Sequence, residues 1–251
     1  MDPNELKTQK RLLDLSRTAN RKNIVTFSSF LNLHEQSLFH QITADLETSY
    51  RLFGGYEFAE RQMIAFIPDA LSYADDIAFP IVCLRFFPVH PKFAEELSHR
   101  DVLGALMNLG IDRARIGDIK LDGQDAFLFC EEGISEYLLQ SLSKIRNTIV
   151  TGERSVSAHP IEQKFEHLEG IIASGRLDAV VALLTKKSRN QSALFIRSQK
   201  VFINACIVTS NSYECKAGDI ISIRGYGKFL YEGIDGETRK GRSKVSIKKY
   251  L

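Results

Sequence analysis

The hydrophobic positions of the chain change their spacing several times, and each change marks a predicted element. Between Asn4 and Ala19, four leucines lie among polar residues, which predicts a short amphipathic helix. Apolar residues at helical spacing predict a second helix over Phe30–Leu46. Gly54-Gly55 then interrupts the pattern, and the apolar run Met63–Ile67 predicts a strand. Residues 1–75 are therefore expected to form an N-terminal α/β unit.

The next segment, residues 76–157, alternates between the two-residue period of strands and the longer period of helices. Gly110 ends one helical stretch, and Asp122-Gly123 is typical of a hairpin turn. The predicted elements are the strand Ile81–Phe87, the helix His99–Leu109, the strands Arg115–Leu121 and Asp125–Cys130, the helix Ile134–Leu142 and the strand Asn147–Val150. This β-α-β-β-α-β order predicts a ferredoxin-like domain. Small polar residues over Thr151–Ser157, followed by Pro160, predict a linker to the next domain.

The two central strands of this predicted domain carry phenylalanines. RNA-recognition-motif domains have the same order of elements and stack bases on aromatic side chains of these strands. The residues concerned here are Phe86, Phe87, Phe127 and Phe129. Alternating phenylalanines in a half-covered sheet more often belong to the core, and no basic-Gly-aromatic-Gly run precedes Phe127. A base-stacking platform and a buried core therefore both stay open.

The C-terminal third begins with two predicted helices that are joined by a short basic turn. Apolar residues at helical spacing follow Gly175-Arg176-Leu177-Asp178 and predict a helix that ends at Lys186-Lys187. Ser188 precedes Gln191 by three residues, the spacing of a capping box, so a second helix is expected from Arg189. Strands are predicted after it over Val201–Val208 and Ile220–Ile223.

Composition excludes several classes of protein. Of 251 residues, 44% are hydrophobic and 25% are charged, which is ordinary for a folded protein and excludes a collagen-like or wholly disordered chain. The most apolar uncharged run, Ile77–Leu84, is far shorter than a membrane-spanning helix requires. The N-terminus has no apolar signal-peptide core. The protein is therefore expected in the cytoplasm, without a membrane span.

Charge is divided unevenly along the chain, although the net charge is only +2. Residues 1–170 contain 18 Lys and Arg against 25 Asp and Glu, a net charge of −7. Residues 171–251 contain 15 against 6, a net charge of +9. Because clustered Lys and Arg release counterions from phosphate backbones, the C-terminal third is expected to bind a polyanion. Charge alone leaves a solvated basic face as the alternative.

Cysteine spacing gives no sign of a metal or redox site. Cys83, Cys130, Cys206 and Cys215 lie far apart and form no C-x-x-C pair. They are expected to be buried free thiols. No metal and no cofactor is therefore predicted.

The C-terminal third resembles the S-four (S4) RNA-binding domain over roughly residues 168 to 226. The motif residues that carry the resemblance are Arg176-Leu177-Asp178, Ser188-Arg189-x-Gln191, Ile196, Lys200-Val201-x-x-Asn204 and Gly218-Asp219-x-Ile221. Gln199 and Ala205 stand where the family usually has glycine, which concerns the local turn geometry. The resemblance predicts an S4 domain with a basic C-terminal extension over residues 168–251.

Further motifs make essentially the whole chain similar to the bacterial YlmH family. They are His99-Arg100-Asp101-x-Leu103-Gly104-Ala105-Leu106, Leu109-Gly110-Ile111-x-Arg113, Ile116-Gly117-Asp118-Ile119, Arg224-Gly225-Tyr226-Gly227-Lys228-Phe229 and Arg239-Lys240-Gly241-Arg242. The resemblance implies an α+β protein with an N-terminal α/β unit, a central RRM-like ferredoxin-type domain and a C-terminal S4 domain, which contains the αL motif. It also implies a non-enzymatic, ribosome-associated factor. Such factors bind the free large subunit carrying an obstructed peptidyl-tRNA, contact rRNA and tRNA, and support C-terminal tailing of the stalled chain, with other quality-control proteins as further expected partners.

The resemblance also implies which residues bind RNA. In S4 domains the two-helix face with its basic turn binds structured RNA. The corresponding residues of this chain are Arg176, Lys186, Lys187, Ser188, Arg189, Gln191, Arg197 and Lys200. Basic residues beyond the two helices are expected to join them, namely Arg224, Lys228, Arg239, Lys240 and Arg242.

The sequence also bears on two other classes of function. S4 domains also occur in rRNA-modifying enzymes, but a pseudouridine synthase needs a catalytic aspartate in a separate domain, whereas Asp178 is expected at a helix start. A methyltransferase needs a glycine-rich loop before a helix, and Gly225-Tyr226-Gly227 lacks the helical pattern that should follow. Membrane-surface binding through the basic tail lacks an amphipathic basic helix. The chain is therefore expected not to be an enzyme.

Overall fold

The computed structural model describes residues 2–73, 77–155, 164–239 and 241–251. The chain divides into two units, of which one comprises Met1–Glu35 with Gln41–Glu162 and the other comprises Gln36–His40 with Gln163–Leu251. Apart from Gln36–His40, the predicted N-terminal and central domains fall in the first unit and the predicted S4 domain falls in the second. The bounds of the three predicted domains stay predictions.

Helix α1 (Pro3–Lys22) is delimited at both ends by its own sequence. Asp2 and Glu5 form a capping box at its start, with proline in the first turn. Asn23 ends it in the left-handed conformation, with φ 52°. The predicted N-terminal helix is confirmed and is three residues longer at its C-terminal end.

The rest of the N-terminal part is a small sheet with one short helix beside it. Its elements are β1 (Thr26–Phe27), α2 (Leu33–His40), β2 (Ser49–Phe53) and β3 (Met63–Ile67), and the strand order is β1-β3-β2. The predicted strand is confirmed as β3, and all of its residues are buried. The predicted helix over Phe30–Leu46 is wrong in its extent. Leu31 forms a β-bridge with Gln62, and the Asn32 carboxamide accepts hydrogen bonds from the first turn of α2, so the helix begins only at Leu33.

The central part has the predicted ferredoxin-like arrangement. Its elements are β4 (Ile81–Pro88), α3 (His99–Asn108), β5 (Ile116–Asp122), β6 (Asp125–Glu131), α4 (Glu132–Ser141), β7 (Lys144–Ile145) and β8 (Thr148–Arg154). The antiparallel sheet has the order β5-β6-β4-β8-β7, so the first and third strands of the motif lie at its centre. Both helices pack on one face of this sheet through a core that contains Leu84, Phe86, Leu106, Leu128 and Leu138.

For this part, the structure decides one open alternative and corrects one expectation. Phe86 is 1% exposed and belongs to the core beneath the helices, so it cannot stack bases on the opposite face of the sheet. Strand β8 continues to Arg154, where it pairs with Leu84 of β4, so the first four residues of the predicted linker are in the sheet. Ser155 follows the strand, and its N–H donates to the Cys83 oxygen at 2.9 Å. The positions from Val156 to Pro160 lie outside the described residues.

The C-terminal unit places two helices against a larger antiparallel sheet. Its elements are β9 (Phe165–Ile172), α5 (Leu177–Thr185), α6 (Arg189–Arg197), β10 (Val201–Ile203), β11 (Cys206–Ile207), β12 (Ile220–Ile223), β13 (Gly227–Glu237) and β14 (Ser243–Tyr250). The strand order is β11-β10-β12-β13-β14-β9. Leu177, Val180 and Ile196 of the two helices are fully buried against this sheet. The predicted α+β class, with an S4 fold at the C-terminus, is confirmed.

The predicted strand Val201–Val208 is wrong, because the chain reverses in its middle. Asn204 and Ala205 have φ angles of 49° and 63°, and they join β10 and β11 in a two-residue hairpin. Two successive left-handed residues are the signature of a type I′ turn, which favours asparagine and glycine. Gln199, the other position where the S4 family usually has glycine, has φ 57°. Both departures from the family therefore keep the backbone conformation that glycine adopts without strain.

Helix length and apolar content bear on membrane insertion. Within the part of the chain that the structure describes, no helix is both long and apolar enough to cross a bilayer. Within the same residues, no cluster of His, Cys, Asp and Glu could hold a metal ion.

Candidate nucleic-acid interface

A left-handed residue and a capping box shape the turn between α5 and α6. Lys186 ends α5 in the left-handed conformation, with φ 55°. Ser188 then caps α6, because its Oγ accepts a hydrogen bond from the Gln191 N–H (3.3 Å) while the Gln191 Oε1 accepts one from the Ser188 N–H (3.2 Å). The predicted capping box is confirmed. It presents Lys186 and Lys187 at the N-terminus of α6, and it leaves only the amide nitrogen of the Gln191 side chain for another partner.

A buried carboxylate connects the starts of the two helices. Asp178, which is 8% exposed, lies in the first turn of α5. Its Oδ1 is 3.3 Å from Nε of Arg176, and its Oδ2 is 2.7 Å from a terminal nitrogen of Arg189. Burial by itself raises the pKa of this carboxyl, but the hydrogen bonds from Arg189 and Arg176 outweigh burial, so the pKa lies below its usual value. Asp178 therefore orients both arginines while their guanidinium groups stay partly exposed.

Replacing Asp178 by asparagine tests this role. The lowered pKa means that the ion pairs stabilise the fold above the ordinary carboxyl pKa of about 4 and are lost as pH falls through the lowered value. At neutral pH, Asp178→Asn should lower the free energy of unfolding by about 2 kcal/mol, since two arginines lose a buried partner. Urea unfolding should show the variant and the wild type converging below about pH 3. The exposed Asp235→Asn serves as the control, and an equal loss at all pH values would contradict the ion-pair role.

The outer face of α6 carries a stripe of exposed residues. Asn190, Leu194 and Arg197 recur at positions i, i+4 and i+7, opposite the buried Ser192 and Ile196. Leu194 is 64% exposed, which is unusual for a leucine. Sequence reasoning identified Arg197 but missed Asn190 and Leu194. Their spacing relative to the buried positions was the signal that could have placed them on this face.

Further basic residues gather beyond the C-terminal end of α6. Lys200 directly precedes β10, and its backbone oxygen accepts a hydrogen bond from the Arg224 N–H at 2.9 Å. The Lys200 Nζ lies 5.6 Å from the centroid of the Phe195 ring of α6. Tertiary folding thus brings Arg224, from the end of β12, beside Lys200.

We call these residues the α6 surface, which comprises Lys186, Lys187, Arg189, Arg197, Lys200 and Arg224. All six are exposed. Apart from Arg189, none of them forms an ion pair with another residue that the structure describes. Exposed cations that have no ion pair, near the N–H groups at the start of α6, are suited to bind phosphate oxygens.

Of the other predicted RNA-binding residues, Lys228 lies at the strand end beside Arg224, whereas Arg239 and Arg242 lie away from the α6 surface. Lys228 is on β13, with its Nζ 4.8 Å from the centroid of the Tyr250 ring. Arg239 and Arg242 lie in the turn between β13 and β14, where the Thr238 N–H donates to the Arg242 oxygen. Since β13 spans eleven residues at about 3.3 Å each, this turn is roughly 30 Å from the strand end beside Arg224. Lys240 is outside the described residues.

Two family models match parts of the chain. The family model described as "Putative RNA-binding domain in YlmH" matches residues 83–158, and the model of the S4 domain matches residues 175–221. Both are RNA-binding families, and neither is a family of enzymes. Together they cover the central ferredoxin-like part and the two helices of the C-terminal unit.

One curated relative and one solved structure extend the likeness beyond these domains. The "Ribosome-associated protein quality control protein P2" of Bacillus subtilis (strain 168) is 26% identical over 244 residues, which cover 94% of this chain and 92% of the relative. The structure of the cell division protein ylmH from Streptococcus pneumoniae is similar with a TM-score of 0.52 at 21% identity, covering 64% of this chain and 97% of that one. The second likeness concerns the fold alone. The chain thus resembles the YlmH proteins, because it matches the YlmH RNA-binding domain followed by an S4 domain and is similar to the relative over nearly its whole length.

Proposed function

We propose that this protein is an RNA-binding factor of ribosome-associated quality control and that it docks on structured RNA through the α6 surface. The observation that carries the proposal is the clustering of six exposed cations around a single capped helix. The similarity to the Bacillus subtilis quality-control protein supports the ribosomal setting. The proposal places the protein in the cytoplasm.

The chemistry of the α6 surface favours recognition of RNA by its backbone. Paired RNA is recognised mainly through phosphates and 2′-hydroxyls, because its deep major groove is closed to side chains. Lysine and arginine at both ends of α6 would contact phosphates, and Asn190 and the amide of Gln191 would donate to neighbouring oxygens. The surface has no exposed aromatic platform among these residues, so base stacking is not required.

The finer parts of the proposal concern the particle that is bound. We infer that the RNA belongs to the large ribosomal subunit and to the tRNA of an obstructed peptidyl-tRNA complex. On that particle the protein would support C-terminal tailing of the stalled chain, in contact with other quality-control proteins. Its role is to bind and position RNA, without catalysis of its own.

Sedimentation of cell lysate tests the proposal. The wild-type protein should sediment with large subunits that hold tRNA, and RNA crosslinked to it in those fractions should contain rRNA and tRNA sequences. Lys187→Glu should shift most of the protein to the top of the gradient, because it reverses an exposed charge that has no internal partner. Lys187 is preferred to Arg189, since reversal at Arg189 would also place a second carboxylate beside Asp178.

Lys92→Glu is the matched control, because Lys92 is an exposed lysine of the first unit, outside the α6 surface. It should sediment like the wild type. A wild-type protein that is absent from every ribosomal fraction would overturn the proposal. Ribosome association that is unchanged in Lys187→Glu would show that another surface mediates the docking.

A further inference from the structure

In the central domain, the sheet face that an RNA-recognition motif uses for base stacking is already covered. The ring of Tyr56 stacks on Phe129, with centroids 4.9 Å apart and planes 28° from parallel. At Gly55, which has φ +99°, an added Cβ would lie 2.4 Å from Phe129 Cδ1, so the chain approaches as closely as only glycine allows. Phe129 is 3% exposed as a result. Tyr56 thus occupies the position that a base would take.

The remaining aromatic positions of this sheet offer no substitute platform. Phe127 is 6% exposed. The Arg85 guanidinium lies 4.9 Å from the Phe87 ring centroid and is ion-paired with Asp125 and Glu153. An RNA contact by this domain therefore has to lie on another face.

The helix side of the same domain contains a groove of about 510 Å³. It lies between α3 and the segment that runs from the end of α4 through β7 into the hairpin turn. The side chains that line it and can donate hydrogen bonds are those of Arg100, Asn108, Ser141, Ser143, Lys144 and Arg146. Two guanidinium groups, an ammonium group, an amide and two hydroxyls together suit phosphate oxygens and ribose hydroxyls.

Arg146 lines this groove in a backbone conformation that is strained for arginine. Ile145 pairs with Thr148, so Arg146 and Asn147 form a two-residue hairpin turn. Of the two, only Arg146 has a positive φ, 53°, the pattern of a type II′ turn, whose first central residue is usually glycine. An arginine held where glycine is the relaxed choice points to a role for its side chain.

Gly104 lies on the opposite wall of the groove, in the middle of α3. A Cβ added there would meet no atom within 4 Å, and its φ is not positive, so neither packing nor backbone geometry requires glycine. Glycine inside a helix lowers helix stability relative to alanine. A missing side chain at this wall does, however, let a ligand lie directly against the helix backbone.

The acidic residues near the groove are already engaged. Asp101 also lines it, but its Oδ2 accepts hydrogen bonds from the N–H and the hydroxyl of Ser98, at 2.9 and 2.6 Å, in the capping box of α3. Arg146 pairs with Glu95 (3.4 Å) and with Oδ1 of Asp101 (3.7 Å), and its side chain is nevertheless 51% exposed. Arg100 and Lys144 form no ion pair with any residue that the structure describes. The groove therefore keeps a net positive charge toward solvent.

We infer that this groove holds a stretch of RNA sugar-phosphate backbone and is a second RNA-binding site, in addition to the α6 surface. The inference rests on the proposed RNA-binding function. Arg100, Lys144 and Arg146 contact phosphates, Asn108 and Ser143 bind ribose or phosphate oxygens, and Gly104 sets how closely the strand approaches α3. The domain thus binds RNA on its helix side, while its sheet is closed by the N-terminal part of the same unit.

Fluorescence anisotropy with a labelled stem-loop RNA and the full chain tests the site, using two variants that act differently. Arg100→Gln removes one phosphate contact, so the affinity should fall roughly tenfold and the slope of log K against log salt should become shallower by about 0.7 to 0.9. Gly104→Gln places a neutral side chain in the groove. It should weaken binding to a similar degree while the melting temperature rises by about 2 to 4 °C, because glutamine is the better helix former.

Lys92→Gln is the control for Arg100→Gln, since it removes an exposed charge of the same domain outside the groove. Gly104→Ala is the control for Gly104→Gln, because it should raise the melting temperature with little effect on affinity. Wild-type affinity in both Arg100→Gln and Gly104→Gln would overturn the groove inference, even if an acidic peptide were found to bind there. Docking through the α6 surface would survive that result if Lys187→Glu still lost RNA, and would fail with it if Lys187→Glu also bound normally.

Discussion

Replacing Lys187 and Arg197 together by glutamine is expected to weaken RNA binding roughly 100-fold at low salt. Each residue is exposed and has no ion-pair partner among the described residues, so each is available to phosphate. A hydrogen bond to a charged group contributes about 1.5 kcal/mol, and about 1.4 kcal/mol corresponds to a tenfold change in affinity. Two lost contacts therefore give about two orders of magnitude.

The salt dependence provides a separate measure of the same contacts. Each phosphate contact contributes about −0.7 to −0.9 to the slope of log K against log salt, so the double variant should be shallower than the wild type by roughly 1.4 to 1.8. Filter binding with large-subunit rRNA over a range of salt concentrations measures both quantities. Neutral glutamine is used so that the effect reflects lost contacts without added repulsion.

The double variant Lys92→Gln/Lys244→Gln removes the same charge from exposed positions outside the α6 surface. It should bind within about twofold of the wild type, because a uniform change in net charge has a small effect beyond the Debye length. Equal losses in the two double variants would mean that net charge, and no defined surface, controls binding. An unchanged slope in Lys187→Gln/Arg197→Gln would exclude direct phosphate contact by these residues.

Replacing Asp118 by alanine is expected to cost about 3 kcal/mol of unfolding free energy. Asp118 lies on β5, and its carboxylate accepts hydrogen bonds from the Tyr56 hydroxyl (2.7 Å) and from the backbone N–H groups of Glu60 (2.7 Å) and Arg61 (3.0 Å). Burial and the Asp118 charge raise the pKa of Tyr56, so this hydroxyl remains a donor. Removal of the Asp118 carboxylate leaves these three donors without an acceptor, at a cost of about 1 kcal/mol or more each.

Arg61 makes the stability of this region depend also on the charge of Asp118. Its guanidinium donates to the backbone oxygens of Phe30, Arg113 and Ile116, and thereby ties three chain segments together. Burial lowers the pKa of Arg61, and the Asp118 carboxylate is among the charges that oppose this shift. Without Asp118, the buried cation loses part of its compensation, which adds to the cost of the lost hydrogen bonds.

Urea unfolding of the full chain measures this effect, with two comparisons. Tyr56→Phe keeps the ring on Phe129 and removes only the hydroxyl, so it should lose about 1 kcal/mol. Asp69→Ala removes an exposed aspartate and should change stability by less than about 0.5 kcal/mol. If Asp118→Ala lowers the free energy of unfolding by less than about 1 kcal/mol, water replaces the carboxylate. Packing alone then holds Tyr56 on Phe129.

Local sequence patterns determined much of the secondary structure. The Ser188 and Gln191 pair predicted the start of α6 because a capping box involves only residues three apart. The β-α-β-β-α-β order followed from alternating periods, and the S4 motif residues identified the two-helix unit. Interactions between near neighbours in sequence survive in most tertiary contexts, and this is why these elements could be predicted.

The predictions failed where pairing across the chain outweighed the local pattern. Apolar residues at helical spacing begin before α2, but Leu31 pairs with Gln62, so the helix starts later than its pattern. A β-branched run predicted one strand over Val201–Val208, but the left-handed Asn204 and Ala205 reverse it. Phenylalanines on both sides of one strand could not be sorted into core and surface until the position of the helices was known.

The sequence alone determined that the C-terminal third is basic and contains the S4 motif, because composition and short-range spacing are properties of the chain itself. Only the tertiary structure decided how the charges are distributed. It places Arg224 beside Lys200, pairs Asp178 with Arg189, and separates Arg239 and Arg242 from them by the length of a strand. It also closes the phenylalanine face with Tyr56 and opens a cationic groove on the helix side. These are contacts between residues distant in sequence, and they exist only because burial of the hydrophobic cores fixes which surfaces meet and which remain in water.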